Sequence, residues 1–295
     1  YVFFIAAILG GIYGLHVRNG FENVAALTYV GSAIGAIFAG DLITLIAYSE
    51  LTAVTSVFLV WAGGTERAAK AGMRYLIIQV GSGVVLLAGV ILHFLDTASL
   101  DFVKLIGEDG LLSSATPAVV LIFLAFGVKS AFPFLHNWLQ DSYPNGSVTG
   151  TVFLSAFTTK LAIYALARGF PGTEIMVPMG VVMTLFPVFY AVIENDLRKV
   201  LAYSLNNQLG YMVVGIGIGT ALSLNGTVSH AFAHILYKAL LFMTMGAVLY
   251  RTGTIKATEL GGLYKSMPVT TVCCLIAAAS ISTATPRTSR SARSS

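Results

Sequence analysis

Ten apolar runs divide this chain, at residues 1–15, 24–40, 42–62, 72–94, 116–139, 148–168, 175–193, 200–220, 226–250 and 268–282. Most approach the roughly 20 apolar residues with which an α-helix crosses about 30 Å of hydrocarbon. Little more than Gly40-Asp41 separates the second run from the third, and these residue types suit a tight hairpin. The first run is already under way at Tyr1, and after residue 282 Ser, Thr, Arg and Pro replace the apolar pattern. The pattern predicts an all-α, polytopic transmembrane helix bundle over 1–282, incomplete at both ends. A polar tail follows over 283–295, disordered or frame-shifted.

Composition strengthens this picture. Hydrophobic residues make up 56% of the chain and charged residues 10%. A soluble domain carries about 25% charged residues, so this chain cannot clothe a soluble surface. A net charge of +4 invites a nucleic-acid reading, but no basic stripe or aromatic-basic face supports one. The basic residues follow the loops instead. Arg18, Arg67, Lys70, Arg74, Arg198, Lys199, Arg251, Lys256 and Lys265 fall on one side, and Lys104 and Arg168 on the other. The positive-inside rule then makes loops 63–74, 194–199 and 251–267 cytoplasmic, in a cell (inner) membrane. No phosphate loop or dinucleotide fingerprint occurs, so no cofactor is expected. Cys273 and Cys274 are adjacent within an apolar run and read as small apolar fillers.

Glu50, Lys129, Lys160 and Lys238 lie inside these runs. A charge at mid-bilayer costs roughly 2.5–3.5 kcal/mol or more, so such groups face the bundle interior or water and find partners. Lys129 and Lys160 lie about 12 residues, or about 18 Å, into their runs, too deep to snorkel. Pro133 stands four residues after Lys129. A helical proline clashes with the carbonyl four residues back, so the helix should break at the lysine. His136, after the break, could cap or hydrate the next half-helix, or anchor at the interface. His230, His234 and Lys238 share one helix face through their i, i+4, i+8 spacing. Two histidines at i, i+4 can bind metal, but no HExxH glutamate is present and lysine is a poor zinc ligand. No metal is therefore expected; a polar stripe for proton hopping or helix–helix hydrogen bonding fits better. Asn206, Asn207 and Gln208 suit either helix joining or a water path.

Several segments together resemble one family: Ser49-Glu50-Leu51, FGVKSAFPFLHNWLQDSYP (126–144), LSAFTTKLAIYALAR (154–168), NDLRKVLAYSLNNQLGYM (195–212) and SHAFAHILYKALLF (229–242). The chain is similar to the antiporter-like membrane subunits shared by Mrp-type Na+/H+ antiporters and respiratory NADH:quinone oxidoreductase. The wording of GDLITLIAYSELTAVTSVFLVWAGG stands closer to the Mrp D-type subunit. The resemblance implies two inverted five-helix repeats with broken helices. It implies that Glu50 is the essential glutamate, Lys129 its broken-helix partner and Lys160 the connecting lysine. His230, His234 and Lys238 become the central polar axis of the second half. The family's first helices are absent, and the Ser/Arg tail stands where a second broken helix would follow.

The expected function is therefore proton or cation translocation by a subunit that is no enzyme by itself. Its partners would be other membrane subunits of a hetero-oligomeric complex, protons, Na+ and the lipid bilayer, without nucleic acid. The alternatives are a proton-pumping, translocase subunit of NADH:quinone oxidoreductase, a non-transporting membrane scaffold, and a solute transporter with its site at the broken helix.

Overall fold

The computed structural model describes residues 1–283. Thirteen α-helices occur among them: α1 (Val2–Gly14), α2 (Gly20–Ile37), α3 (Leu42–Trp61), α4 (Glu66–Thr97), α5 (Pro117–Lys129), α6 (Asn137–Ser142), α7 (Val148–Ala156), α8 (Thr158–Gly169), α9 (Met176–Ile193), α10 (Leu197–Ile218), α11 (Ala221–Thr252), α12 (Leu263–Ser266) and α13 (Pro268–Thr283). Five segments, α3, α4, α7 with α8, α9 and α11, are long and apolar enough to cross a membrane. The tail expected at 283–295 lies, from residue 284 on, outside the described residues.

Polar residues between the apolar runs set the helix starts. Asp41 caps α3, its carboxylate accepting the Thr44 amide at 2.8 Å and hydroxyl at 2.6 Å. Those donors hold the Asp41 carboxyl below the usual carboxylate range. Thr65, Asp196 and Thr220 cap α4, α10 and α11, and α10 and α11 end at Gly219 and Gly253 in the left-handed conformation. With these caps α4 and α11 reach 32 residues each, longer than the apolar runs 72–94 and 226–250 alone suggest.

Two expected spans are not continuous. The first breaks where Pro133 predicts: α5 stops at Lys129, and Ala131 and Phe134 adopt positive φ before α6. The second break is a correction. The run 148–168 reads as one helix, but it divides at Phe157. No proline causes this. The Thr158 amide donates to the Tyr29 hydroxyl of α2 at 3.0 Å rather than to a carbonyl one turn back. A polar group inserted into the ladder is a recognised origin of a kink.

Two isolated β-bridges reveal an internal repeat: Asp41 pairs with Asp101 and Asp196 with Lys256, a separation of 60 in both (101 − 41 and 256 − 196). The hydrogen bonds match as well. Leu42 N donates to Leu100 O and Phe102 N to Gly40 O; Leu197 N donates to Ile255 O and Ala257 N to Asn195 O. Five passes (α3, α4, α5 with α6, α7 with α8, and α9) separate the two bridges, an odd number. The bridges therefore lie at opposite ends of the bundle, and the repeats are inverted.

The bundle interior is close-packed and its outside is apolar. Trp138, Tyr29, Tyr75, Phe126 and Phe157 are buried, whereas Leu185, Phe189, Val192 and Ile193 along α9 are exposed, as suits a lipid-facing helix. Small residues bring α9 and α10 into backbone contact. A methyl group on Gly210 would stand 2.4 Å from Thr184 Oγ1 and 2.6 Å from the Gly180 carbonyl. Gly210→Ala is therefore expected to destabilise the fold by about 1–3 kcal/mol through overpacking, against a helix-propensity gain of about 1 kcal/mol. A raised or unchanged melting temperature of the full-length protein would contradict the close approach.

Candidate functional site: ionisable side chains inside the bundle

An ion pair lies where α5 breaks. Lys129 Nζ donates to Glu50 Oε1 of α3 at 2.9 Å, with the two side chains 7% and 27% exposed. The break sets the lysine's position. With Pro133 unable to donate, the Phe132 amide reaches back to Gly127 O at 3.0 Å, and Trp138 Nε1 holds Val128 O at 3.0 Å. Across the pair stands Gly83 of α4: a Cβ there would lie 2.1 Å from Glu50 Cδ. The carboxylate thus occupies the space that a side chain at position 83 would take.

Beyond Lys129 lies a cavity of about 10 Å³ lined in part by Ser49, Thr52, Gln79, Lys129 and Thr158. This is about the room one water needs. Both polar side-chain atoms of Gln79 are buried without a partner among the described residues. A buried amide with no protein partner marks a place for water.

Lys160 stands on α8 just past the second break. Its ammonium donates to the Ser155 carbonyl at 2.5 Å, a group that the break leaves available. The Tyr29 hydroxyl that makes the break also lies 2.7 Å from Thr158 Oγ1. The α7–α8 segment that carries it packs against α11 and α10. On α11, Lys238 Nζ donates to Ser204 Oγ at 2.7 Å. His234 is fully buried, and neither ring nitrogen has a partner among the described residues. The His230 ring stacks on it at 6.1 Å. No carboxylate pairs with Lys160 or Lys238 among the described residues.

The repeat register connects the two halves. An offset of 155 (196 − 41) places Ser49, Gln79 and Gly83 in correspondence with Ser204, His234 and Lys238. Gln79 and His234 are both buried with unpartnered polar atoms. Where one half carries Lys238 beside Ser204, the other has Gly83 beside Glu50.

Residues 39–291 match the family described as NADH:quinone oxidoreductase/Mrp antiporter, transmembrane. The chain belongs to this family. It is 32% identical over 247 residues to the D-type subunit of the Na(+)/H(+) antiporter of Alkalihalophilus pseudofirmus, covering 79% of this chain and 50% of that protein. It is 31% identical over 294 residues to the N-type subunit of the NADH-quinone oxidoreductase of Desulforudis audaxviator, covering 87% of this chain and 58% of that protein. The chain thus spans about half the length of these relatives. Among solved structures it is similar to the Mrp complex from Dietzia sp. DQ12-45-1b, with a TM-score of 0.82 and 25% identity over 94% of this chain and 55% of that one. The fold also matches the archaeal membrane-bound sulfane sulfur reductase, with a TM-score of 0.85 and 24% identity, over 94% of this chain and 60% of that one. As a member of this family, the chain is an integral, multi-pass membrane protein.

Within this antiporter-like bundle some expected residues stand apart from these groups. His136 packs against Phe186, and its buried Nδ1 has no partner among the described residues. Gln208 and Asn207 form a chain from Tyr237 to the Thr184 carbonyl and so knit α11, α10 and α9 together. Asn206 is the buried member of that trio, and its Oδ1 has no partner among the described residues.

Other buried polar groups escape a sequence reading. Glu22 is 7% exposed and accepts the hydroxyls of Ser147, at 2.5 Å, and Thr149. It precedes the apolar run that starts at residue 24, and only the observed start of α2 at Gly20 puts it inside a helix. Arg198 falls among the loop basics in sequence, yet it is 5% exposed and donates to Gly146 O, Ser147 O and Thr151 Oγ1.

Proposed function

We propose that this chain forms the membrane part of a proton- or cation-translocating subunit of a multisubunit Mrp-type Na+/H+ antiporter, with a relay of Glu50, Lys129, Lys160, His230, His234 and Lys238. The observation that carries this reading is the Glu50–Lys129 ion pair at a helix break inside an apolar bundle. Two further buried lysines, Lys160 and Lys238, have no acid partner among the described residues. A structural ion pair does not need such companions.

The chemistry follows from desolvation and proximity. Two unit charges 4 Å apart interact by roughly 4 kcal/mol at an effective dielectric near 20. With Glu50 close, Lys129 is held as an ammonium ion. When the pair separates, that stabilisation is lost and the proton passes through water toward Lys160. From there it continues along Lys238, His234 and His230. Pro133 supports the exchange by keeping α5 broken beside the pair. Partner membrane subunits would supply the coupling to a Na+ gradient.

The basic loops at 63–74, 194–199 and 251–267 would face the cytoplasm. Sequence similarity of nearly equal strength to an NADH-quinone oxidoreductase subunit sustains a second reading, the same relay driven by redox chemistry in other subunits. Both readings predict that Lys160→Ala in the full-length protein, assembled in its complex, lowers proton transport at least tenfold without loss of assembly. Transport at the unaltered rate would exclude Lys160 from the path. Na+-dependent proton exchange by that complex, against none, separates the first reading from the second.

A further inference from the structure

At the end of the bundle that carries the Asp196–Lys256 bridge lies a cavity of about 470 Å³. Five basic side chains line it: Arg67, Lys70, Arg74, Lys199 and Lys256. We propose that this cavity binds the phosphate of an anionic phospholipid headgroup.

The helix geometry sets the depth. At 1.5 Å per residue, α4 with its 32 residues is about 48 Å long. The hydrocarbon layer is about 30 Å thick, and about 40–45 Å with headgroups. The first turns of α4 therefore stand at headgroup level. Arg67, Lys70 and Arg74 sit in those turns at i, i+3 and i+7, which places them on one face. This short basic row is concealed in the linear sequence, where its members register only as loop charge.

The opposite wall is held in place. Lys256 belongs to a segment bridged to Asp196. Asn195 fastens that segment further, through Nδ2 to Thr258 Oγ1 at 3.0 Å and from the Thr258 amide to its Oδ1 at 3.1 Å. Lys199 lies in the first turn of α10, whose cap is Asp196.

Three acids, Asp141, Glu194 and Asp196, share the lining, so its side chains carry a net charge of two positive. Asp141 accepts both Nε and a terminal nitrogen of Arg74. Asp196 accepts the amides of Arg198 and Lys199, and Glu194 those of Asn195 and Asp196. Four of the five basic groups have an acid partner among the described residues and one has none. Arg67 has no ion-pair partner among the described residues. Lys199 reaches Glu194 only at 3.5 Å, and Lys70 and Lys256 hold only exposed partners, Glu66 and Glu259. The lining therefore has an excess of positive charge, led by the unpaired Arg67, at the depth of lipid phosphates. Each basic group near such a surface strengthens anion binding by a factor of about five.

The test uses the full-length protein assembled in its complex, in nanodiscs. Retained lipid is counted by native mass spectrometry with phosphatidylglycerol or phosphatidylcholine present, and in a separate arm with inorganic phosphate alone. The expected result is retention of phosphatidylglycerol over phosphatidylcholine, weakened about tenfold or more by Arg67→Gln with Lys199→Gln. Lys265→Gln, on the same side but outside the cavity, should weaken retention less than either cavity variant. Equal retention by the double variant and the parent would overturn the proposal. So would saturation of the site by inorganic phosphate with no preference for the lipid. Should the double variant fail to assemble, the two single variants, each expected to weaken retention about fivefold, give the same decision.

Discussion

Replacing Glu50 with glutamine is expected to stop transport and to weaken the bundle at once. The substitution leaves the Lys129 ammonium buried without the carboxylate 2.9 Å away. Breaking a buried pair by removing one partner costs about 3–5 kcal/mol, because a charge is left uncompensated. An exposed pair would cost about 0–1 kcal/mol. Both side chains are largely shielded, so the larger figure applies. The outcome is read from the melting temperature of the full-length complex and from its proton flux in proteoliposomes. Unchanged values of both would mean that the pair has no energetic role.

Gly83→Ala should reduce transport by about tenfold or more while every charge is retained. The new methyl group would stand 2.1–2.3 Å from the Glu50 carboxyl atoms, so the carboxylate has to move. A shift that costs the pair about 1.4 kcal/mol is a tenfold change in its equilibrium. The helix would not suffer from the substitution itself, since alanine exceeds glycine in helix propensity by about 1 kcal/mol. A loss of flux with intact stability would therefore trace to the displaced carboxylate. Parental flux would show that Glu50 can reach Lys129 from another rotamer. The repeat register gives this position added meaning, because its counterpart in the other half is Lys238.

Much of the architecture is legible in the chain, for identifiable reasons. Apolar runs mark the spans because a bilayer admits few alternatives to helices that satisfy their own backbone. Pro133 marks the break at Lys129 because its chemistry is local. Glu50 and Lys129 stand out because charge is costly at that depth. What the chain conceals depends on contacts across long separations. The break at Phe157 is made by Tyr29, 128 positions earlier, and no residue inside 148–168 announces it. Glu22 and Arg198 lie at helix starts, where one turn decides between a loop charge and a buried one. The repeat leaves only a trace in Gly40-Asp41-Leu42 and Asn195-Asp196-Leu197. Its corresponding interior positions differ in residue type, glycine against lysine and glutamine against histidine, so the matching bridges are what align them.

Proton flux through the full-length complex carrying Glu50→Leu together with Lys129→Met separates a relay from a scaffold most directly. Neutralising both partners leaves no orphan charge, and such replacements are often neutral or stabilising. The double variant should therefore assemble and melt like the parent while its flux falls to background. Parental flux through a fully assembled double variant would show that the pair only holds helices together.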